Sequence, residues 1–268
     1  MNLAGRTAVV TGAGSGIGRA IASSLAMRQC HLALTDIDAA GLERTRDLIK
    51  DSGIDVSLHV MDVADREAVA ALPLAVAQRH AKVDLLFNNA GVAVGGSFEE
   101  VSPADFEWLF DINFWGVVYM TRAFLPALRQ SDDARIVNIS SLFGLISPPG
   151  QTAYSASKFA VRGFSNALRF ELEGSTVGLT VVHPGGVATS IAKNARQSAG
   201  RSPAQIQQAI ARIEKMLPMP PYEAGEIIVD GVARGKARIL VGRDAKIAAL
   251  IERLMPVSYW KLLSRALR

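Results

Sequence analysis

The sequence predicts an α/β protein: a doubly wound, parallel sheet of about seven strands with helices on both faces. Three observations predict it. Short apolar runs alternate along the chain with stretches of helical period. Within the runs the apolar positions are nearly continuous, the pattern of strands buried on both sides. Polar and glycine residues interrupt the pattern at the ends of the runs, where ligands bind in such sheets.

The elements follow in order. Thr7–Thr11 reads as the first strand, Gly12–Gly18 as a tight turn, and Ile17, Ala20, Ile21, Ser24 and Leu25 as one face of a helix. His31–Thr35 is the second strand and meets Asp36; a helix opens at Asp38 and Ala39. Val56–Val63 is the third, carrying Asp62 at its end, with a helix from near Asp65. Val83–Phe87 is the fourth and runs into Asn88–Gly91. Arg135–Ser140 precedes Ser141, Leu179–His183 precedes Pro184–Gly186, and Arg238–Val241 is the last strand. Ser147–Gly150 and Pro218–Pro221 punctuate loops. No repeat, low-complexity tract or linker divides the chain, so one domain is expected over residues 1–268.

At 268 residues and 49% apolar, the chain can bury a sizeable core. A single cysteine, Cys30, excludes an intrachain disulfide and fits a reducing compartment. No leader precedes the first strand and no apolar run is long enough to span a bilayer, so a cytoplasmic location is expected. The net charge of +4 is uneven. Residues 234–268 hold nine Lys/Arg against Asp244 and Glu252, a balance of +7, which leaves −3 on the rest. This basic segment lacks a nucleic-acid recognition motif, so no nucleic-acid partner is expected. His31, His59, His80 and His183 show no ligand spacing, so no metal is expected.

Thr11–Gly18 lies between a strand and a helix. Glycines there let the backbone approach a pyrophosphate, and the helix N-terminus supplies free N–H donors. Asp36 suits the hydroxyls of an adenosine ribose and repels a 2′-phosphate, while Ser15 and Ile37 bring no cation, so NAD is expected rather than NADP. Asp36 also reads as a turn or capping residue. Asp62 suits an adenine amino group or a helix cap. Tyr154 and Lys158 stand four residues apart, on one helix face, with Ser141 thirteen residues upstream. An ammonium beside a phenol favours the phenolate and lowers the tyrosine pKa from about 10, which suits proton exchange with an alcohol or ketone.

From Leu3 to about Ser190 the chain resembles the short-chain dehydrogenase/reductase family, in its single-domain branch. The resemblance rests on Thr11–Gly18, Asp62-Val63, Asn88-Asn89-Ala90-Gly91, Asn113, Ser141, Tyr154-x-x-x-Lys158 and Pro184-Gly185, in that order. It implies a Rossmann-like fold and reversible hydride transfer between a nicotinamide and a carbonyl/alcohol pair. It implies Tyr154 as general acid/base, and Lys158 on the nicotinamide ribose, lowering the Tyr154 pKa. Ser141 would bond the substrate oxygen, and Asn113 would hold a water linked to Lys158. Gly12, Ser15, Gly16, Ile17, Gly18, Asp36, Asp62, Val63, Asn89, Ala90, Gly91, Pro184, Gly185, Val187 and Thr189 would hold the cofactor, with Thr189 at the carboxamide. Asn113, Asn88, Asn89 and Ser141 each also have a purely structural reading, as helix, strand-end or turn residues. The family implies a homodimer or homotetramer built through the Asn113 and Tyr154 segments.

After Ser190 the resemblance loosens. Residues 190–222 are expected as a substrate lid, with Ile206, Ile210, Ile213 and Leu217 on a helix face. Met216, Leu217 and Met219, with Val94, Phe143, Leu145 and Ile146, are candidates for an apolar pocket, and no cation stands out as an anion anchor. An uncharged, hydrophobic secondary alcohol or ketone is the expected substrate. An NADPH-dependent carbonyl reductase and a non-catalytic NAD-binding regulator are the alternatives. The tail, residues 245–268, carries Ile247, Leu250, Ile251 and Leu254 as one stripe, then Trp260, Leu262, Leu263 and Leu267 beyond Pro256. It is expected to pack on its own domain or a partner subunit, to shape the substrate entrance, or to touch an anionic membrane.

Overall fold

A computed structural model describes residues 1–197, 207, 208, 211 and 217–266. The central sheet has seven parallel strands: β1 (Thr7–Thr11), β2 (His31–Asp36), β3 (Val56–Val60), β4 (Leu85–Asn88), β6 (Ala134–Ile139), β7 (Val177–Pro184) and β9 (Arg238–Val241). Their order is β3-β2-β1-β4-β6-β7-β9. The order reverses after β1, between β1 and β4, and this switch point opens a crevice at the carboxyl ends of the strands.

Successive side chains enter opposite layers. Ala8 and Val10, Leu32 and Leu34, Leu85 and Phe87 belong to one buried cluster. Val9, Ala33, Leu86 and Ile136 belong to the other. Burial on both faces is why the strands read as continuous apolar runs. The first layer holds α1 (Gly16–Met27), α2 (Ala39–Ile49) and α7 (Pro221–Ala233). The second holds α3 (Arg66–Ala77) and α5 (Gly116–Leu128). Helix α6 (Thr152–Glu171) lies along β6 and β7. Helix α4 (Pro103–Phe110) starts where Ser102 Oγ accepts from Asp105 N at 3.1 Å, with proline at its first turn. A π-turn, Asp111–Trp115, joins it to α5. Helices α8 (Arg243–Leu254) and α9 (Tyr259–Ala266) close the chain.

Three sequence expectations need correction. The third strand ends at Val60, not Val63, because Asp62 Oδ1 accepts from Ala64 N at 2.9 Å and turns the backbone out of the sheet. A second, two-stranded parallel sheet, β5 (Val94–Gly95) with β8 (Arg196–Gln197), was not anticipated; two-residue strands carry no periodicity. In the lid region, Pro221 and Tyr222 belong to the first turn of α7. Ile206, Ile210, Ile213 and Met216 lie outside the described residues.

The tail departs further. α8 buries Ala245, Ala248 and Ala249 against the domain. Of the expected stripe, Ile247, Leu250 and Leu254 are 58%, 58% and 71% exposed, and Ile251 is half-buried. Small residues face inward because α8 lies close against β9 and the Leu142–Gly144 turn. Beyond it, Ser147 N donates to Tyr259 Oη of α9 at 2.9 Å, so the tail holds the loop after Ser141.

Candidate active site

The glycine turn is clamped from beneath. Thr11 Oγ1 accepts from Asn89 N at 2.9 Å and Ala90 N at 3.0 Å. Asn89 Nδ2 donates to the carbonyls of Thr11 and Gly12 at 3.0 and 3.2 Å. A Cβ on Gly12, whose φ is +64°, would stand 2.8 Å from that amide nitrogen. One on Gly18 would overlap the Gly12 carbonyl. The two glycines thus permit strand, turn and helix to meet. Ser15 caps α1 without a side-chain bond to the first-turn amides, which leaves those N–H groups facing the crevice to receive an anion. This cradle fits a dinucleotide pyrophosphate.

Asp36 ends β2 beside the turn. Its Oδ2 accepts from Gly14 N at 2.8 Å and its Oδ1 from Asp38 N at 3.0 Å, so it braces the turn as well as bordering the crevice. Arg19, not singled out in the sequence, donates to the Gly14 carbonyl and to Thr45 Oγ1 (3.0 Å), locking α1 to α2. Asp62 is exposed in the loop after β3, and Val63 is buried against Gly116.

Ser141, Tyr154 and Lys158 converge from two elements. Ser141 follows β6, where its Oγ accepts from Phe143 N at 3.1 Å. Tyr154 and Lys158 occupy successive turns of α6, with Lys158 Nζ 5.7 Å from the Tyr154 ring centroid. Lys158 is buried and its Nζ donates to the Ile139 carbonyl at 3.2 Å. Burial lowers its pKa to about 8. Burial also pushes the Tyr154 phenol above its ordinary value, while a hydrogen bond from Ser141 pulls it back. This corrects the expectation of a phenol lowered by Lys158. Removal from water favours the neutral forms of both groups, and Lys158 lies over the ring face.

Asn113 is fully buried in the π-turn. Its Oδ1 accepts from Val92 N at 2.8 Å, and its Nδ2 donates to the Val92 carbonyl at 3.0 Å and to Ser157 Oγ at 3.1 Å. Ser157 Oγ in turn donates to the Tyr154 carbonyl at 2.8 Å. The side chain therefore ties the Asn89–Val92 loop to the Tyr154 turn. Ser157 was missed because it is one of many serines in a helix; only its contacts distinguish it.

The loop after β7 closes the far side. Gly186 N donates to Asp244 Oδ2 at 2.6 Å, Val187 pairs with Met219, and Ala188 N donates to the Met219 carbonyl at 2.8 Å. Thr189 Cγ2 lies 3.2 Å from where a Cβ on Gly16 would stand, so Thr189 reaches across to the glycine turn. Pro184 ends β7, and Gly185 N is bonded to the Val241 carbonyl at 2.9 Å. Asp244 was not identified from the sequence, since it stands 58 residues from its partner.

Of the expected pocket residues, Val94, Leu145 and Ile146 are buried in packing, and Met219 packs on the first core layer. Phe143 alone among those four expected mouth residues is half-exposed, edge-on to Tyr154 with centroids 6.2 Å apart. His183 is buried, and its Nδ1–H donates to the Ser141 carbonyl at 2.9 Å.

A glycine cradle, a strand-end carboxylate and a Ser-Tyr-Lys cluster thus share one sheet edge. Residues 6–200 match the short chain dehydrogenase family. The chain belongs to that family. As a short-chain dehydrogenase/reductase it is an oxidoreductase, of a family that binds NAD(P). The chain is 46% identical over 264 residues to SadH of Mycobacterium tuberculosis, named as an oxidoreductase, covering 97% of this chain and 94% of that protein. It superposes on a short-chain dehydrogenase/reductase from Burkholderia phymatum in complex with NAD, with TM-score 0.88, 33% identity and 95% of each chain covered. It also superposes on an alcohol dehydrogenase from Thermococcus sibiricus complexed with 5-hydroxy-NADP (TM-score 0.67, 27% identity, 81% of this chain and 92% of that one).

Proposed function

We propose that this short-chain dehydrogenase/reductase is NAD-dependent and interconverts an uncharged, hydrophobic secondary alcohol and its ketone. The observation that carries the reading is the convergence of Ser141, Tyr154 and Lys158 with the glycine turn and Asp36 on one sheet edge. Asp36 supports NAD, because a carboxylate bonded to the Gly14 amide would stand against a 2′-phosphate. Phe143, edge-on to Tyr154, supports an apolar substrate.

In this reading the first turn of α1 and Gly12–Gly18 hold the pyrophosphate, and Asp36 the adenosine ribose. Asp62 and Val63 border the adenine, Asn89–Gly91 line the floor, and Pro184, Gly185, Val187 and Thr189 flank the nicotinamide. The bound nicotinamide supplies the hydride acceptor or donor. Ser141 Oγ–H bonds the substrate oxygen; the Tyr154 phenol gives its proton to that oxygen during reduction, and the Tyr154 phenolate takes the hydroxyl proton during oxidation. As Tyr154 gives up its proton, the Lys158 ammonium becomes the counter-charge to the phenolate. Asn113 positions the Tyr154 turn through Ser157, and its segment would hold a water linked to Lys158 on the proton path to solvent.

The test is a panel of secondary alcohols, from small alicyclic to steroid-sized, with NAD⁺ and NADP⁺ separately. We expect NADH formation on apolar alcohols. Tyr154→Phe should lower kcat by about 10²–10⁴-fold, the worth of general acid–base catalysis, with NADH affinity nearly intact. Preferred turnover of a charged hydroxy acid would overturn the substrate class, and preference for NADP⁺ the cofactor.

A further inference from the structure

We propose that α8 and α9 form a docking surface for an anionic lipid bilayer. Helix α8 turns its alanines inward and its large side chains outward. Ile247, Leu250 and Leu254, at i, i+3 and i+7, form one exposed stripe. The surface continues past the helix end: Met255 is 39% exposed, Val257 at the turn 94%, and Leu262 of α9 46%. Six large apolar side chains thus stand in solvent within a short stretch of chain. Single exposed apolar residues are ordinary; a contiguous patch marks an interaction site.

The charge around the patch identifies its partner. Residues 234–268 carry +7, although the rest of the chain carries −3. Lys246 precedes Ile247 and Arg253 precedes Leu254 on α8 itself. Arg238 lies near Arg162, Arg253 and Glu252. A cleft of about 410 Å³ beside α8 is lined by Arg234, Lys236, Arg238 and Lys246. Asp230 and Arg234 neutralise each other and Asp244 is committed to Gly186 N, which leaves Glu252 against Lys236, Arg238, Lys246 and Arg253. An apolar stripe rimmed by cations complements acyl chains beneath anionic headgroups.

A second copy of the chain fits less well. A two-fold interface sets a patch against itself and would oppose Lys246 and Arg253 with their own copies. The helices, of twelve and eight residues, are too short to cross a bilayer, and no helix among the described residues is long and apolar enough. They would lie in the interface plane. The Tyr259–Ser147 bond places the docked face beside the loop that follows Ser141.

Flotation of the full chain with phosphatidylcholine vesicles, with and without phosphatidylglycerol, tests this. We expect binding to the anionic vesicles about tenfold or more above the neutral ones, falling as salt is raised. Leu250→Asp/Leu254→Asp should lower it at least as much with an unchanged Tm, since both sites are exposed. Lys246→Glu/Arg253→Glu should lower it and flatten the salt dependence. No flotation with either vesicle, or equal binding to both, would overturn the proposal. So would light scattering that shows an oligomer which Leu250→Asp/Leu254→Asp dissociates, since a second copy would then cover the stripe.

Discussion

Burial opposes the charged form of each buried base in the site. His183 is the clearest case: desolvation brings its pKa from 6.5 to about 4, and its Nδ1–H is committed to the Ser141 carbonyl. The unfolded chain therefore takes a proton as pH falls through 6.5 while the folded chain does not. Stability is full above that pH and is lost as pH falls toward about 4, by about 3 kcal/mol in all. Urea midpoints at pH 7 and 5 should converge for His183→Asn relative to the parent; equal pH slopes in the two would sink the idea. Lys158 follows the same sign at the other end. Its pKa falls from 10.5 to about 8, so its burial costs stability below about pH 8, and that cost fades as pH rises toward 10.5. Tyr154, Lys158 and Ser141 were legible from type and spacing. The balance of charge between them was not, because desolvation depends on neighbours brought in from β6 and the Val92 loop.

Among the elements, α8 joins the site to the tail. Its first turn places Asp244 against Gly186 N at 2.6 Å and so sets the loop from Pro184 to Val187. Asp244→Ala should leave that amide without its charged acceptor. A hydrogen bond to a charged group contributes about 1.5–3 kcal/mol, so NADH affinity should fall about tenfold or more while far-ultraviolet circular dichroism stays the same. An unchanged Kd in a fluorescence titration would show that the loop is held without Asp244. The strand–turn–helix units were legible because each is written in consecutive residues. The third strand was read too long because Met61-Asp62-Val63 continues an apolar pattern, and only the Asp62–Ala64 bond shows the chain leaving the sheet. The α8 stripe left three readings open in the sequence: packing on the domain or a partner, shaping the substrate entrance, or touching a membrane. Helical spacing says which residues share a face, not which face meets the domain.

At the scale of the whole molecule, both faces of the sheet are sealed by helices. Cys30 sits in the first layer, fully buried, with its Sγ 3.2 Å from the Arg6 carbonyl. Burial, reinforced by Asp84, raises the thiol pKa to about 12. A thiol held neutral and out of solvent reacts only when the core opens. Labelling by a thiol reagent should therefore be slow in buffer and accelerate with denaturant in parallel with global unfolding; rapid labelling of the native protein would mean that this layer opens locally. Asp84 shows the same dependence on distance in sequence. It is buried and accepts from Thr7 N at 2.9 Å, Ser131 Oγ at 2.7 Å and Arg6 Nη1 at 3.0 Å, partners drawn from the amino ends of the strands on either side, β1 and β6. The sequence by itself determined the set of seven strands, their parallel class, the glycine turn, and the identity of the Ser-Tyr-Lys cluster. Those features are encoded by period, composition and spacing within short stretches. The tertiary structure alone decided the desolvation of Tyr154 and Lys158, the service of Ser157 and Asp244 to the site, and the outward turn of the α8 stripe. Each depends on desolvation or contact between residues far apart in the chain, and no local pattern carries that information.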